Sequence, residues 1–323
     1  MDLVADIGAT NARFQCSENG LLQGSPVVLG TRDFHGDDEL LKAALEQLPS
    51  AEPERALLAI AGPATDEEIS VTNTGLRIRR SSAEAMFSCR TWLVNDFFAL
   101  AHGVPHFTQL EQLGGTDPLQ ATKALLGPGT GLGMAALICD ETWQDRRGRA
   151  DAVWQVLASE GGHADLAPGS HLETELWAVL TANHGHVCWE TVLSGSGLGN
   201  LYAAMSALWG MRADELSAAD ITARGIDMED PVCHQTLETF CALLGAAAGN
   251  LALTVAATGG VYIGGGIVPR MLEFARMSPL RRRFEERGAM SDFVRAIPLM
   301  IIVEPQPGLL GAARCLQRKG QLA

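Results

Sequence analysis

Lysine is scarce: the 323 residues contain three (Lys42, Lys123 and Lys319), against 38 acidic residues and a formal net charge of −14. No Gly-x-x-x-x-Gly-Lys-[Ser/Thr] segment occurs, which excludes a P-loop nucleotide site. The acidic balance argues against a nucleic-acid backbone or an anionic membrane surface as partner. The seven cysteines are scattered and never spaced Cys-x-x-Cys, so neither a disulfide framework nor a zinc cluster fits, whereas reduced thiols do. A zinc site from His163, His171, His184 and His186 lacks thiolates at ligand spacing, and no metal held by the protein itself is expected. The N-terminal residues show no basic stretch followed by an apolar one, so no secretory leader is read there and a cytoplasmic protein is expected. One apolar run, residues 240–257, approaches membrane-span length. It contains Gly245, Gly249, Asn250 and Thr254 and lacks aromatic belts and basic flanks, so it reads as a helix buried between protein layers.

What is abundant is apolar residues, 47% of the chain, and glycine, 35 residues. That composition and length suit one large domain or two ordinary ones, each with its own core. Strand-like runs fall at residues 3–6, 12–16, 56–61, 69–72, 92–94, 134–139, 261–263 and 299–303. Helix-like segments fall at 37–47, 83–87, 171–183, 198–208, 230–257 and 308–318. This alternation predicts an α/β architecture, and the segment at 308–318, too short for a domain, is expected to pack back on the N-terminal part.

The glycines gather where apolar strands end or helices begin. Asp6, Ile7, Gly8, Ala9, Thr10 and Asn11 form a tight turn between two strands, whose amides and Thr10 hydroxyl suit phosphate oxygens, with Asp6 near a metal-bound water. Residues 127–133 (Gly-Pro-Gly-Thr-Gly-Leu-Gly) make a second strand-loop-strand turn, with Gly129, Thr130 and Gly131 at its centre. Glycines there let backbone N–H groups approach an anion without Cβ obstruction. A dinucleotide motif forced onto Gly131, Gly133 and Ala136 fails, because residues 134–139 read as a strand and not a helix. A third cluster, Gly264, Gly265 and Gly266, comes after an apolar strand and leads into a helix with Pro269 in its first turn, a setting suited to the flat adenosine of a nucleotide.

These segments occur in the order seen in bacterial ATP-dependent glucokinases. The match comprises residues 6–13 (Asp-Ile-Gly-Ala-Thr-Asn-Ala-Arg), Asn95-Asp96, residues 127–133, residues 160–163 (Glu-Gly-Gly-His), residues 190–195 (Glu-Thr-Val-Leu-Ser-Gly), 249–253, 264–270 and 307–311. The resemblance covers nearly the whole chain. The cysteine-rich zinc motif of the related repressor/kinase group is absent.

The resemblance implies a two-domain actin-like ATPase (ribonuclease-H-like) sugar kinase fold with a cleft between lobes. The small α/β domain would be residues 1–107 plus 304–323, and the large α+β domain residues 108–303. It implies glucose and ATP as substrates, with nucleotide-bound Mg2+, and commonly a homodimer. Carried over, Asp96 is the general base facing the sugar 6-hydroxyl. Asn95, Glu160, His163 and Glu190 hydrogen-bond the other hydroxyls. Asp6, Gly8, Ala9, Thr10 and Asn11, with Gly129, Thr130 and Gly131, hold phosphates, and Gly264, Gly265 and Gly266 lie along the adenosine.

The residue chemistry agrees. Hexose hydroxyls both donate and accept, so carboxylates, an amide and an imidazole suit them better than cations. Asp96 ends an apolar strand, where open α/β sheets place ligands, and phosphoryl transfer needs positioning and a carboxylate for the attacking hydroxyl. Taken singly, Asn95-Asp96 reads as a helix cap, His163 as a loop histidine and Glu190 as a surface charge. Arg281, Arg282 and Arg283 read as the solvated face of a helix. Against the family pattern, Ala9 stands where a second glycine is frequent, which requires a negative φ, and Pro128 removes an N–H donor. Phe97 and Phe98 narrow the expected sugar pocket. The charged stretch from Asp140 to Asp151 reads as an exposed hairpin tip. The alternatives are a kinase of the same fold acting on mannose or an amino sugar, and a non-catalytic sugar sensor, for which no DNA-binding module is seen.

Overall fold

The structure, a computed structural model, describes residues 1–49, 52–63, 65, 67–140 and 153–322. The chain divides into two compact units, Met1–Thr108 with Glu304–Ala323, and Gln109–Val303.

The first unit begins with β1 (Asp2–Ile7), β2 (Asn11–Glu18) and β3 (Leu21–Gly30), then α1 (Asp37–Gln47), β4 (Arg55–Ile60), β5 (Glu68–Ser70), β6 (Arg77–Arg79), α2 (Arg80–Phe87), β7 (Arg90–Asn95) and α3 (Asp96–Gly103). Its main sheet has the order β3-β2-β1-β4-β7. β1, β4 and β7 run parallel, and the β1-β2-β3 meander is antiparallel. The inner parallel strands are apolar on both faces, as strands covered from both sides must be. Leu3, Ala5 and Ile7 of β1 join Leu58 and Ile60 of β4 in one core with Leu40, Leu41 and Phe87. Val4, Leu57 and Ala59 belong to another on the opposite face. β3 had no strand signature because it is an edge strand with no buried residue, interrupted by Gly24 at φ +69°, so burial imposes no alternation on it.

The second unit contains β8 (Leu110–Gln112), β9 (Lys123–Pro128), β10 (Leu132–Asp140), β11 (Val153–Ser159), α4 (His171–His184), α5 (Gly195–Leu208), α6 (Ala218–Ile226), α7 (Pro231–Thr254), β12 (Val261–Ile263), α8 (Leu272–Met277), α9 (Leu280–Glu285), α10 (Ser291–Ala296) and β13 (Leu299–Ile302). Its sheet runs β11-β10-β9-β12-β13-β8. α7 is capped by Asp230, whose Oδ1 accepts from the amides of Val232 (2.8 Å) and Cys233 (3.2 Å). Among the described residues it is the one helix long and apolar enough to cross a bilayer, yet 78% of its most apolar stretch is buried inside the protein. Gly245 makes that burial possible, since a Cβ there would collide with the Leu280 carbonyl of α9.

The arginine run on α9 corrects one expectation. Arg282 does face solvent, but Arg283 is buried and donates from Nη2 to both oxygens of buried Glu173, at 3.0 Å each. Arg281 binds the carbonyls of Ile297 (2.9 Å) and Arg295 (2.7 Å). These three side chains point in three directions because α9 is wedged between α7 and α10. The expected hairpin tip at 141–151 lies outside the described residues.

The chain then re-enters the first unit as α11 (Pro307–Leu322). Leu309, Ala312, Ala313 and Leu316 cover the face of the sheet that presents Val4, Leu57 and Ala59, together with Ala99 of α3. α3 and α11 cross closely at glycines: a Cβ on Gly311 would stand 2.7 Å from the Cα of Leu100, and one on Gly103 3.1 Å from the Cα of Gly311.

Candidate active site

In the first unit the site residues emerge from the C-terminal ends of the parallel strands. β1 runs into a tight turn closed by Gly8 N–H donating to Asn11 O (2.9 Å). Thr31, buried just after β3, clamps that turn. Its hydroxyl donates to Gly8 O (2.7 Å) and its amide to Thr10 O (3.0 Å). Ala9 is not among the residues with positive φ, so its methyl group is accommodated without strain. Around Gly8 the nearest neighbour of an added Cβ would be Asn11 O, at an ordinary 3.6 Å, so packing does not explain that glycine.

Asp6 lies at the end of β1, and burial pushes its carboxyl above the usual range, opposed by Arg13. Arg13 Nη1 is 4.0 Å from Asp6 Oδ2, beyond hydrogen-bond distance, and among the described residues the carboxylate accepts no hydrogen bond. Its lone pairs are therefore free for a donor such as metal-bound water.

β7 passes into α3 without a loop, and Asn95 is the cap. Its Oδ1 accepts from the amides of Phe97 (2.9 Å) and Phe98 (3.0 Å), while Nδ2 donates to Gly62 O (3.1 Å). The capping reading of Asn95 is thus realised, and one amide N–H is left for a ligand. Asp96 is the first residue of α3, with Oδ1 accepting from Phe97 N at 2.8 Å. Its pKa is pushed up to about 6, first by burial and then by the Asp6 charge, against the lowering effect of backbone N–H donation. A carboxylate so placed is a better proton acceptor than an ordinary aspartate.

In the second unit, the loop between β9 and β10 holds Gly129, Thr130 and Gly131. Gly129 donates to Gly131 O (2.8 Å) and its carbonyl accepts from Gly195 N (2.8 Å) at the start of α5. The glycines here differ in purpose. A Cβ on Gly127 would stand 2.7 Å from the carbonyl carbon of Gly264, and Gly265 (φ +80°) has the Pro128 carbonyl where its Cβ would be. Those two let the loops at 127–133 and 264–266 pack backbone to backbone. Gly129 and Gly266 face open space, and Thr130 is exposed, so these remain free to meet a ligand.

Glu160 precedes and His163 ends a 3-10 turn, Gly161–His163, closed by His163 N–H donating to Glu160 O (2.9 Å). Glu190 sits in another, Trp189–Thr191. Its Oε2 accepts from Leu132 N at 2.7 Å. Its Oε1 is 3.7 Å from His163 Nε2, and His163 Nδ1 is 3.8 Å from Glu160 Oε2. Those gaps are too long for hydrogen bonds, so an imidazole and two carboxylates stand side by side with donors and acceptors available. The side chains of Glu160, His163 and Glu190 are 85%, 61% and 33% exposed. Among the described residues no group of three or more His, Cys, Asp or Glu is arranged to hold a metal ion.

Thr31 and Ser194 were not legible as site residues. Ser194 donates to Glu190 O (3.0 Å) and caps α5 by accepting from Gly197 N (2.9 Å), and its place in the Ser-Gly-x-Gly stretch before a helix was the available signal. Thr31 comes just after an edge strand and carries no signal.

Comparison with known proteins gives the family. A family model described as glucokinase matches residues 3–319. A glucokinase of Chromobacterium violaceum is 39% identical over 315 residues, 96% of this chain and 88% of that one. One of Nitrobacter hamburgensis is 39% identical over 316 residues, 96% and 95% of the two chains. The solved structure of a glucokinase from an Antarctic psychrotroph matches with a TM-score of 0.80 at 36% identity, covering 98% of each chain. The fold is accordingly that of the two-domain actin-like sugar kinases, and the chain belongs to the glucokinase family of glucose-phosphorylating kinases.

Proposed function

We propose that the chain transfers the γ-phosphoryl group of MgATP to the 6-hydroxyl of glucose, with Asp96 as general base. The observation that carries this reading is the Asp96 carboxylate at the N-terminus of α3, with its pKa pushed up to about 6. Asp96 accepts the hydroxyl proton as the sugar oxygen bonds to phosphorus, and the bond between phosphorus and the ADP oxygen breaks with its electron pair going to ADP. Mg2+ arrives with the nucleotide and neutralises phosphate charge. Asp6, half-buried and without a hydrogen-bond donor, suits a water of that ion. With the Gly8 and Gly129 N–H groups closing the two turns, the backbone amides of Ala9, Thr10 and Asn11 and of Thr130 and Gly131 receive phosphate oxygens, and Gly264, Gly265 and Gly266 lie along the adenosine.

Glu160, His163 and Glu190 bind sugar hydroxyls, with the remaining N–H of Asn95. The unit formed by Met1–Thr108 and Glu304–Ala323 corresponds to the small domain of such a kinase and Gln109–Val303 to the large one. The reading includes a cytoplasmic homodimer. A coupled ADP-release assay with MgATP across glucose, mannose, fructose, glucosamine and N-acetylglucosamine tests it. Glucose is expected to give the highest kcat/KM, and no sugar-dependent ADP release from any of the five would sink the kinase reading.

A further inference from the structure

Gly131 lies in a loop whose glycines invite one explanation, close approach of a phosphate to the backbone. Its surroundings give another. A Cβ on Gly131 would meet the Oε2 of Glu190, with the Glu190 carboxyl carbon at 3.1 Å and Oε1 at 3.6 Å. Gly131 is not among the positive-φ glycines, so backbone conformation does not demand glycine there. Space does, and the group filling it is the carboxylate of the candidate sugar site.

That carboxylate is held at both ends. Oε2 accepts from the amide of Leu132, the next residue of the loop, at 2.7 Å. The backbone of Glu190 is held by the Ser194 hydroxyl at 3.0 Å, and Gly195 N donates to the Gly129 carbonyl at 2.8 Å. The loop at 129–132 and the segment at 190–195 therefore form one hydrogen-bonded body, with Oε1 turned toward His163 at 3.7 Å.

We infer that Gly131 is a positioning residue of the sugar site: its missing side chain is the space in which Glu190 stands, so a loop built for phosphate also fixes the carboxylate that reads a sugar hydroxyl. This inference rests on the kinase reading above. It makes a distinction within the loop. Gly129 has no neighbour closer than 4.0 Å to an added Cβ, so a methyl group there would not disturb Glu190 and would meet only a ligand.

Calorimetric titration of glucose without nucleotide, combined with ADP-release kinetics, separates the two roles. Gly131→Ala should raise the glucose Kd about tenfold to a hundredfold, the usual consequence of losing one hydrogen bond to a charged group. Gly129→Ala should raise the ATP KM and leave the glucose Kd at the wild-type value. In a Glu190→Ala background, where the space is vacated, Gly131→Ala should change the glucose Kd no further. That double variant also removes the collision, so it reports even if Gly131→Ala alone folds poorly. An unchanged glucose Kd in Gly131→Ala with a raised ATP KM would overturn the inference, as would an equal loss with and without Glu190. A wild-type protein that neither binds glucose nor releases ADP would instead remove the kinase reading.

Discussion

Gly308, in the first turn of α11, leaves no room for a methyl group beside Asp6: a Cβ there would stand 2.6 Å from the Asp6 carboxyl carbon and 3.2 Å from Oδ1. A helix from late in the chain thus brings its backbone close against the carboxylate at the end of β1. Gly308→Ala should displace Asp6 and lower kcat by about tenfold to a hundredfold, since a shift near 1 Å in a positioned group costs up to about 10². Glucose binding should be retained. Steady-state kinetics beside calorimetry reads both, and an unaltered kcat would show that Asp6 tolerates displacement.

Asp96→Ala should lower kcat by about 10²- to 10⁴-fold, the contribution of a positioned general base, while the protein still binds glucose. Near-normal turnover would remove Asp96 from that role.

The same residue sets a pH dependence. With a pKa near 6 in the folded protein, kcat/KM for glucose should fall tenfold per pH unit below about 6 and level off above it. The stability effect has the opposite sense. The folded pKa exceeds the unfolded one, so ionisation weakens the fold. Asp96→Asn should therefore be more stable than the wild type above pH 6, and the difference should vanish below pH 4. Paired denaturant titrations across that range measure it.

Breaking the Arg283–Glu173 pair should cost about 3–5 kcal/mol, because it leaves a buried charge uncompensated. Side-chain exposures of 10% and 4% place both ends out of water. Arg283→Met should lose this stability, and the double variant with Glu173→Leu should recover most of it. Urea denaturation of the three proteins decides; equal stability of the single variant and the wild type would return Arg283 to the surface.

Lys123 is one of three lysines, and its ammonium donates to the carbonyls of Leu119 (3.1 Å) and Gly259 (2.9 Å) above the rings of Trp154 and Tyr262. Burial lowers its pKa to about 8, with Cys139 opposing. Between pH 8 and about 10.5 the unfolded chain binds the extra proton, so this group's contribution to stability rises with pH there and is flat below 8. The slope of melting temperature over pH 8–10 should be more positive for the wild type than for Lys123→Met.

The inner strands of the first unit could be read because burial on both faces makes them unbroken apolar runs, and α1 was bounded as expected, Asp37–Gln47. α3 was not seen, since it starts at the residue directly after a strand, with no turn residue between them, and its Phe-Phe-Ala-Leu-Ala stretch has no polar side to give a period. The residue types around Glu190 could be collected from the sequence. What could not be read was the purpose of each glycine: Gly127 and Gly265 serve loop packing, Gly131 makes room for a carboxylate and Gly129 lies open. Those roles depend on neighbours far along the chain, which local composition does not record. Arg283 failed for the same reason, its partner lying 110 residues away.

The return of α11 to the first unit also orders events during synthesis. Val4, Leu57 and Ala59 have only α3 to cover one face until all of Gln109–Val303 has left the ribosome, since Leu309, Ala312 and Leu316 come afterwards. The nascent first unit therefore presents an apolar sheet face for the whole time the second is being made, a natural attachment surface for chaperones. Gly308 arrives with the same helix, so the packing beside Asp6 is completed only when α11 joins the first unit.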